Sequence, residues 1–252
     1  MFQKKSFMLN NIKIFIYKSY IMSTTVHQKK STTMNHIKEN EFSLLVSDYN
    51  KYTNYFNCIF KEINSKDYIK VLSLNKKDGM GVIKFKAPDV IPLKQLLKSK
   101  QNQLGYKQTE TLFINLSKQM LNLEKDNHTN LLFNINDIVV INSIHAVPVF
   151  LYLNTEFFSP ITDEKIEILL PFMKNNLFLS PELKEVKTIP SSLHFKSSYY
   201  SIGMIISYCI NNESFEKKDN DEILEVILNT KLYFAIKRCL EIEPIDRFLL
   251  FI

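Results

Sequence analysis

Hydrophobic positions along the chain change period several times, and the order of those changes predicts the elements. "FSLLVS" (42–47) is compact and apolar, like a short strand. Tyr52, Tyr55, Phe56, Ile59, Phe60 and Ile63 then recur at three- and four-residue spacing, which lays one apolar stripe along a helix. "YIKVLSL" (68–74) and "GVIKFK" (81–86) predict two strands joined through Asn75–Gly79. Pro92 opens a short helix, "PLKQLLKS". A longer helix over 108–123 carries Leu112, Phe113, Leu116, Met120 and Leu123 on its buried side. "DIVVI" (137–141) and "VPVFLYL" (147–153) predict strands. Residues 154–197, with Pro160, Pro171, Pro181 and Pro190, predict an irregular segment. "SSYYSIGMIISYCI" (197–210) is apolar on nearly all sides, as a helix buried within a domain would be. Two further helices are predicted over about 219–229 and 231–241.

Composition narrows the chemistry. No apolar run approaches the roughly 18 residues that a membrane-spanning helix needs. Cys58, Cys209 and Cys239 are few, odd in number and set in apolar stretches. They predict buried free thiols in a reducing, intracellular compartment such as the cytoplasm. No Cys/His spacing suggests zinc, so no metal site and no cofactor is predicted. Gly79, Gly81, Gly105 and Gly203 form no glycine-rich phosphate loop.

Charge is unevenly spread. Residues 1–40 hold seven lysines (Lys4, Lys5, Lys13, Lys18, Lys29, Lys30, Lys38) against Glu39 alone, which is the whole net charge of +6. Residues 41–252 are neutral, which disfavours a nucleic-acid partner for the body of the protein. The expectation is a disordered basic leader over 1–40, with Met22 as a plausible alternative start. Arginine occurs only at Arg238 and Arg247 against thirty lysines, a bias of AT-rich coding sequence.

Three motifs sharpen the order of elements. "SPEL" (180–183) resembles the Ala-Pro-Glu element that ends a protein kinase activation segment. "SYYSIGMII" (198–206) is similar to the start of the central buried kinase helix, and "CLEIEPIDRF" (239–248) to the Cys-Leu-x-x-Asp-Pro-x-x-Arg-Pro stretch near the kinase C-terminus. The resemblance implies an α+β fold with two lobes, a small β-rich lobe over 41–90 and a mainly helical lobe over 91–252. It also implies a structural ion pair between Glu182 and Arg247. A guanidinium grips a carboxylate with two hydrogen bonds, which lysine cannot do.

The same resemblance places the catalytic positions and finds them degenerate. Leu132 stands where a kinase has its catalytic aspartate, Asn134 where it has a phosphate-facing lysine, and Asp137 where it has a metal-binding asparagine. "VFLYLNTEF" puts Leu151, Tyr152 and Leu153 at the metal-binding aspartate, with Asn154 and Glu156 nearby. "FSLLVS" offers no lysine, Glu62 lies near the end of its helix, and Ser198 replaces an anchoring aspartate. Leucine can neither accept a proton nor orient a hydroxyl. The leading expectation is therefore an inactive kinase-like scaffold with protein partners, weak or absent nucleotide binding and no catalytic residue. Two other readings remain open. A divergent serine/threonine kinase would use Asp137, Glu156 or Asp163 opposite Lys84 or Lys86. Alternatively, the leader would bind an anionic surface or nucleic acid. His128 and His145 lack the spacing of a catalytic or metal pair and are read as structural or exposed.

Overall fold

The computed structural model describes residues 32–155, 157–211 and 220–250. Four strands come early: β1 (Thr32–Lys38), β2 (Glu41–Val46), β3 (Lys70–Lys77) and β4 (Met80–Lys86). They form one antiparallel sheet in the order β1-β2-β4-β3. Helix α1 (Thr53–Asn64) interrupts them between β2 and β3. Its buried Tyr55, Phe56, Ile59 and Ile63 pack with the inward residues Phe42, Leu44, Val46, Ile83 and Phe85 of the sheet. The β3–β4 hairpin closes through Asp78 and Gly79, both at positive φ (53° and 74°), the two-residue turn whose twist matches the strands.

Strand β5 (Val90–Pro92) leads into α2 (Leu93–Ser99), with Pro92 as its N-cap, and then into α3 (Tyr106–Glu124). β6 (His128–Asn130) follows, then a 3-10 turn (Ile135–Asp137), β7 (Ile138–Ile141) and β8 (Val149–Tyr152). β5, β7 and β8 make a second small antiparallel sheet in that order.

Residues 154–197 are more regular than their prolines and mixed composition predict. They contain β9 (Phe158–Pro160), β10 (Lys165–Ile168), α4 (Pro181–Glu185) and β11 (Ser191–His194). β9 pairs with β6, and β10 with β11. Each strand has only three or four residues, too short for a period-two pattern to stand out. The last helices are α5 (Ser197–Asn211), α6 (Asn220–Leu224), continued by a 3-10 turn (Glu225–Ile227), and α7 (Lys231–Cys239). A final 3-10 turn covers Pro244–Asp246.

The fold is α+β, with small antiparallel sheets and a helical remainder. One continuous core runs from the β1–β4 sheet through α1 and α3 to α5, α7 and Leu249. A satellite core holds Leu131, Leu132, Ile166, Ile168, Phe172, Leu179, Leu183 and Val186. α5 is buried almost throughout because α3 and α7 cover it. Gly203 lets α7 approach: a Cβ there would lie 2.9 Å from Cβ of Cys239 and from Cδ2 of Leu240.

The leader expectation changes at its C-terminal end. Thr32–Lys38 form β1, hydrogen-bonded to β2, so order begins before residue 41. Their composition is polar, and pairing with β2 supplies what hydrophobicity does not. Residues 1–31, including Lys4 to Lys30 and Met22, lie outside the described residues. No helix among the described residues is long and apolar enough to cross a membrane.

Candidate functional site

Leu132, Asn134 and Asp137, the positions that the resemblance gives to a catalytic loop, lie between β6 and β7; β6 and β8 pack against α3, and the 3-10 turn against α2. β8 is the outermost strand of its sheet, so its free edge needs hydrogen-bond partners. α3 supplies them from side chains. Asn115 Oδ1 accepts from the Phe150 amide at 2.9 Å, and Gln119 Oε1 accepts from the Tyr152 amide at 3.0 Å. Gln119 Nε2 donates to the Phe150 carbonyl at 3.1 Å. The spacing explains the fit. Residues four apart on a helix rise about 6.0 Å, and residues two apart on a strand about 6.8 Å. Two carboxamides on α3 thus imitate an additional strand.

Asp137 ends the 3-10 turn, and Asn154 follows β8. Asn154 Nδ2 donates to Asp137 Oδ2 at 2.9 Å, and both residues are buried. The resemblance assigns a metal-binding asparagine to the first position and a metal-binding aspartate to the neighbourhood of the second. Here carboxylate and carboxamide stand the other way round and bond to each other. Glu156 lies outside the described residues. Among the described residues no group of three or more His, Cys, Asp or Glu side chains could hold a metal ion.

Leu132 is buried, 7% exposed, and packs in the satellite core beneath β10 and α4. Burying such a side chain contributes roughly 1.5–3 kcal/mol, which suits an anchor for the 157–195 segment. Its carbonyl accepts from the Tyr152 hydroxyl at 2.9 Å. Asn134 caps the 3-10 turn, its Oδ1 accepting from the Asn136 amide at 2.9 Å. Glu62 is buried and turns toward α3, accepting from Lys118 Nζ at 3.0 Å and from Asn115 Nδ2 at 3.3 Å. The inward face of β2 presents Phe42, Leu44 and Val46, with no cation.

Glu182 and Arg247, 65 residues apart in sequence, come together in a forked pair. Arg247 Nη1 donates to Glu182 Oε1 at 2.5 Å and Nη2 to Oε2 at 3.1 Å. Arg247 is fully buried. Its Nε donates to the carbonyl of Glu241 (2.8 Å) and Nη2 also to that of Ile242 (2.7 Å), and its guanidinium lies 5.1 Å from the Tyr200 ring centroid. Ser197 Oγ donates to Glu182 Oε1 at 2.6 Å. Burial pushes the Glu182 carboxyl up, but the hydrogen bonds from Arg247 and Ser197 outweigh it and hold the group below its ordinary value. Ser198, beside this pair, shares a hydrogen bond with Thr129 at 3.2 Å and so ties α5 to β6.

The other candidates disperse. Asp163 is exposed on the β9–β10 turn at φ 49°. Lys84 is exposed on β4, and Lys86 pairs with Glu41 at 3.1 Å. His128 Nδ1 lies 2.6 Å from the Asp126 carbonyl, and His145 packs on the Tyr68 ring with centroids 4.6 Å apart. All three cysteines are free and buried. Burial, with the Glu62 charge adding to it, pushes the Cys58 thiol up to about 11. Burial alone raises Cys209, and it raises Cys239 against the pull of Arg247.

Sequence reasoning missed the carboxamide clamp. Asn115 and Gln119 fall at i and i+4 beside the apolar stripe of α3, a signal that reads equally well as a solvated helix face. No protein-family model matches the chain, and no curated protein matches it.

Proposed function

We propose that this chain is a catalytically inactive protein kinase-like module that acts by binding partner proteins. In this reading the β1–β4 sheet with α1 is the small lobe, and the helical remainder is the large one. The carrying observation is Leu132. At the position the resemblance gives to the proton-accepting aspartate, an apolar side chain is buried in a packed core. Around it, architecture persists and chemistry does not. The Glu182–Arg247 fork ties α4 to the chain after α7. Asp137 and Asn154 are bonded to one another, and the inward face of β2 offers no lysine to steady phosphates. Phosphoryl transfer consists mostly of positioning and charge stabilisation, so these substitutions remove its means.

A divergent kinase would need two of Asp137, Glu156 and Asp163 to converge on one cleft that faces Lys84 or Lys86, and Glu156 lies outside the described residues. Asp137 is buried behind Asn154, whereas Asp163 and Lys84 are exposed on separate turns and strands. The test is thermal unfolding with ATP and magnesium beside a phosphotransfer assay. The expected result is no magnesium-dependent shift and no transfer. A shift at micromolar nucleotide together with transfer overturns the proposal.

A further inference from the structure

The β3–β4 hairpin is a basic island on a neutral body. Residues 66–86 hold six lysines (Lys66, Lys70, Lys76, Lys77, Lys84, Lys86) against Asp67 and Asp78, while residues 41–252 as a whole are neutral. β3 is also the outermost strand of its sheet, and among the described residues nothing pairs with its outer edge. With Lys77 and Met80 closing a two-residue turn, hydrogen-bonded and non-bonded pairs alternate up the ladder. Leu74 faces Ile83, and Lys76 faces Gly81, in the non-bonded pairs. Their amides and carbonyls therefore point away from β4, toward solvent.

Side chains along the edge are equally unfinished. Leu72 is 42% exposed and Leu74 37% exposed, although Ile83 opposite Leu74 is fully buried. Lys76 lies against α1, 3.3 Å from Asn57 Oδ1 and 5.8 Å from the Phe56 ring centroid, so its backbone is held in place. A free edge with exposed leucines templates strand addition, and lysines along it repel a second copy of themselves. Self-pairing across β3 would set lysine against lysine. An acidic strand meets no such barrier.

We propose that the outer edge of β3 is a docking site for an acidic, extended peptide segment. The segment adds as a fifth strand, bonds to the Leu74 and Lys76 backbones, and sets its carboxylates against Lys70 and Lys77. Backbone pairing gives affinity, and side chains at alternate positions give selectivity. This needs only the sheet's topology and charge, so it stands whether or not the kinase-like reading does.

The test is binding of a fluorescent ten-residue peptide alternating valine and glutamate (its length roughly that of one strand), followed by anisotropy and amide exchange. The expected result is saturable binding that protects the Leu74 and Lys76 amides and weakens about tenfold or more as salt screens the charges. Leu74→Pro removes one edge donor where proline is tolerated and abolishes binding. Lys70→Glu combined with Lys77→Glu reverses preference toward a valine–lysine peptide. Absence of binding to the wild-type protein overturns the proposal, as does protection of amides elsewhere. If Leu74→Pro fails to fold, the wild-type exchange pattern and the charge reversal still decide.

Discussion

Arg247 meets Glu182 with both prongs of its guanidinium, at 2.5 and 3.1 Å, and also donates to the carbonyls of Glu241 and Ile242. One fully buried cation thus holds α4, the chain after α7 and, through Tyr200, the central helix α5. Removing one member of a buried pair strands the other, at about 3–5 kcal/mol. Arg247→Ala should lower the urea unfolding free energy by that order. Arg247→Lys should recover only part, because an ammonium cannot fork. Arg238→Ala is the control: its side chain is 55% exposed and reaches Glu241 at only 3.4 Å, so its loss should fall within about 0.5 kcal/mol. Equal losses for the two alanine variants would refute a structural role for the pair.

The Glu182–Arg247 pair was expected from residues whose side chains are chemically distinctive. In a chain of thirty lysines an arginine after "EPID", together with a glutamate after Ser180–Pro181, is a legible signal. Helices with clear stripes, α1 and α3, were legible for the same reason: one face is apolar and periodic. β1 and β9–β11 were not. Thr32–Lys38 hold only Met34 and Ile37 as large apolar residues, and the later strands are stabilised by pairing and by the satellite core rather than by local pattern. Leu132 shows both sides. The resemblance gives it the place of an acid, and only packing reveals the core it fills.

Gly203 predicts a second loss. α5 and α7 approach so closely that a methyl at this position would sit 2.9 Å from Cys239 Cβ and 2.9 Å from Leu240 Cδ2. Leu240 can shift, but Cys239 Cβ is fixed to the helix backbone. Alanine normally favours a helix over glycine by up to about 1 kcal/mol. Here overpacking, typically about 1–3 kcal/mol, should reverse the sign. Gly203→Ala should therefore unfold at lower urea than wild type; a more stable variant would mean the helices separate freely.

Gln119 makes three contacts that no apolar residue can replace. It accepts from the Tyr152 amide and donates to the carbonyls of Phe150 and of Asn115 within α3. Gln119→Leu keeps bulk but leaves the β8 edge groups buried and unpaired, at about 1–3 kcal/mol for each group. The Tyr152 amide should then exchange with solvent at least tenfold faster, while exchange in the β1–β4 sheet stays unchanged. Unaltered Tyr152 exchange would show that the clamp is dispensable.

Glu124, the last residue of α3, predicts how stability depends on pH. Its Oε2 accepts from the Tyr199 hydroxyl at 2.9 Å, while Oε1 is buried with no hydrogen-bond partner. The site also lies at a helix C-terminus, where negative charge is unfavourable. Burial pushes the carboxyl up to about 7, against the opposing pull of the Tyr199 hydrogen bond and of Lys196. In the unfolded chain it titrates near 4.5. The folded state thus holds the proton more tightly. The associated stability is fully present below the unfolded value and is lost as pH rises toward and through 7. At about 1.36 kcal/mol per pH unit the loss reaches about 3 kcal/mol at most, less whatever solvent screens. His194 works in the opposite direction, since burial and Lys196 depress its pKa, so stability from that group is lost as pH falls. The difference between Glu124→Gln and wild type isolates the carboxyl. Urea midpoints at pH 5 and pH 8 should show the variant gaining on wild type at the higher pH. Parallel pH profiles for the two proteins would mean that Glu124 is solvated and titrates like any surface carboxylate.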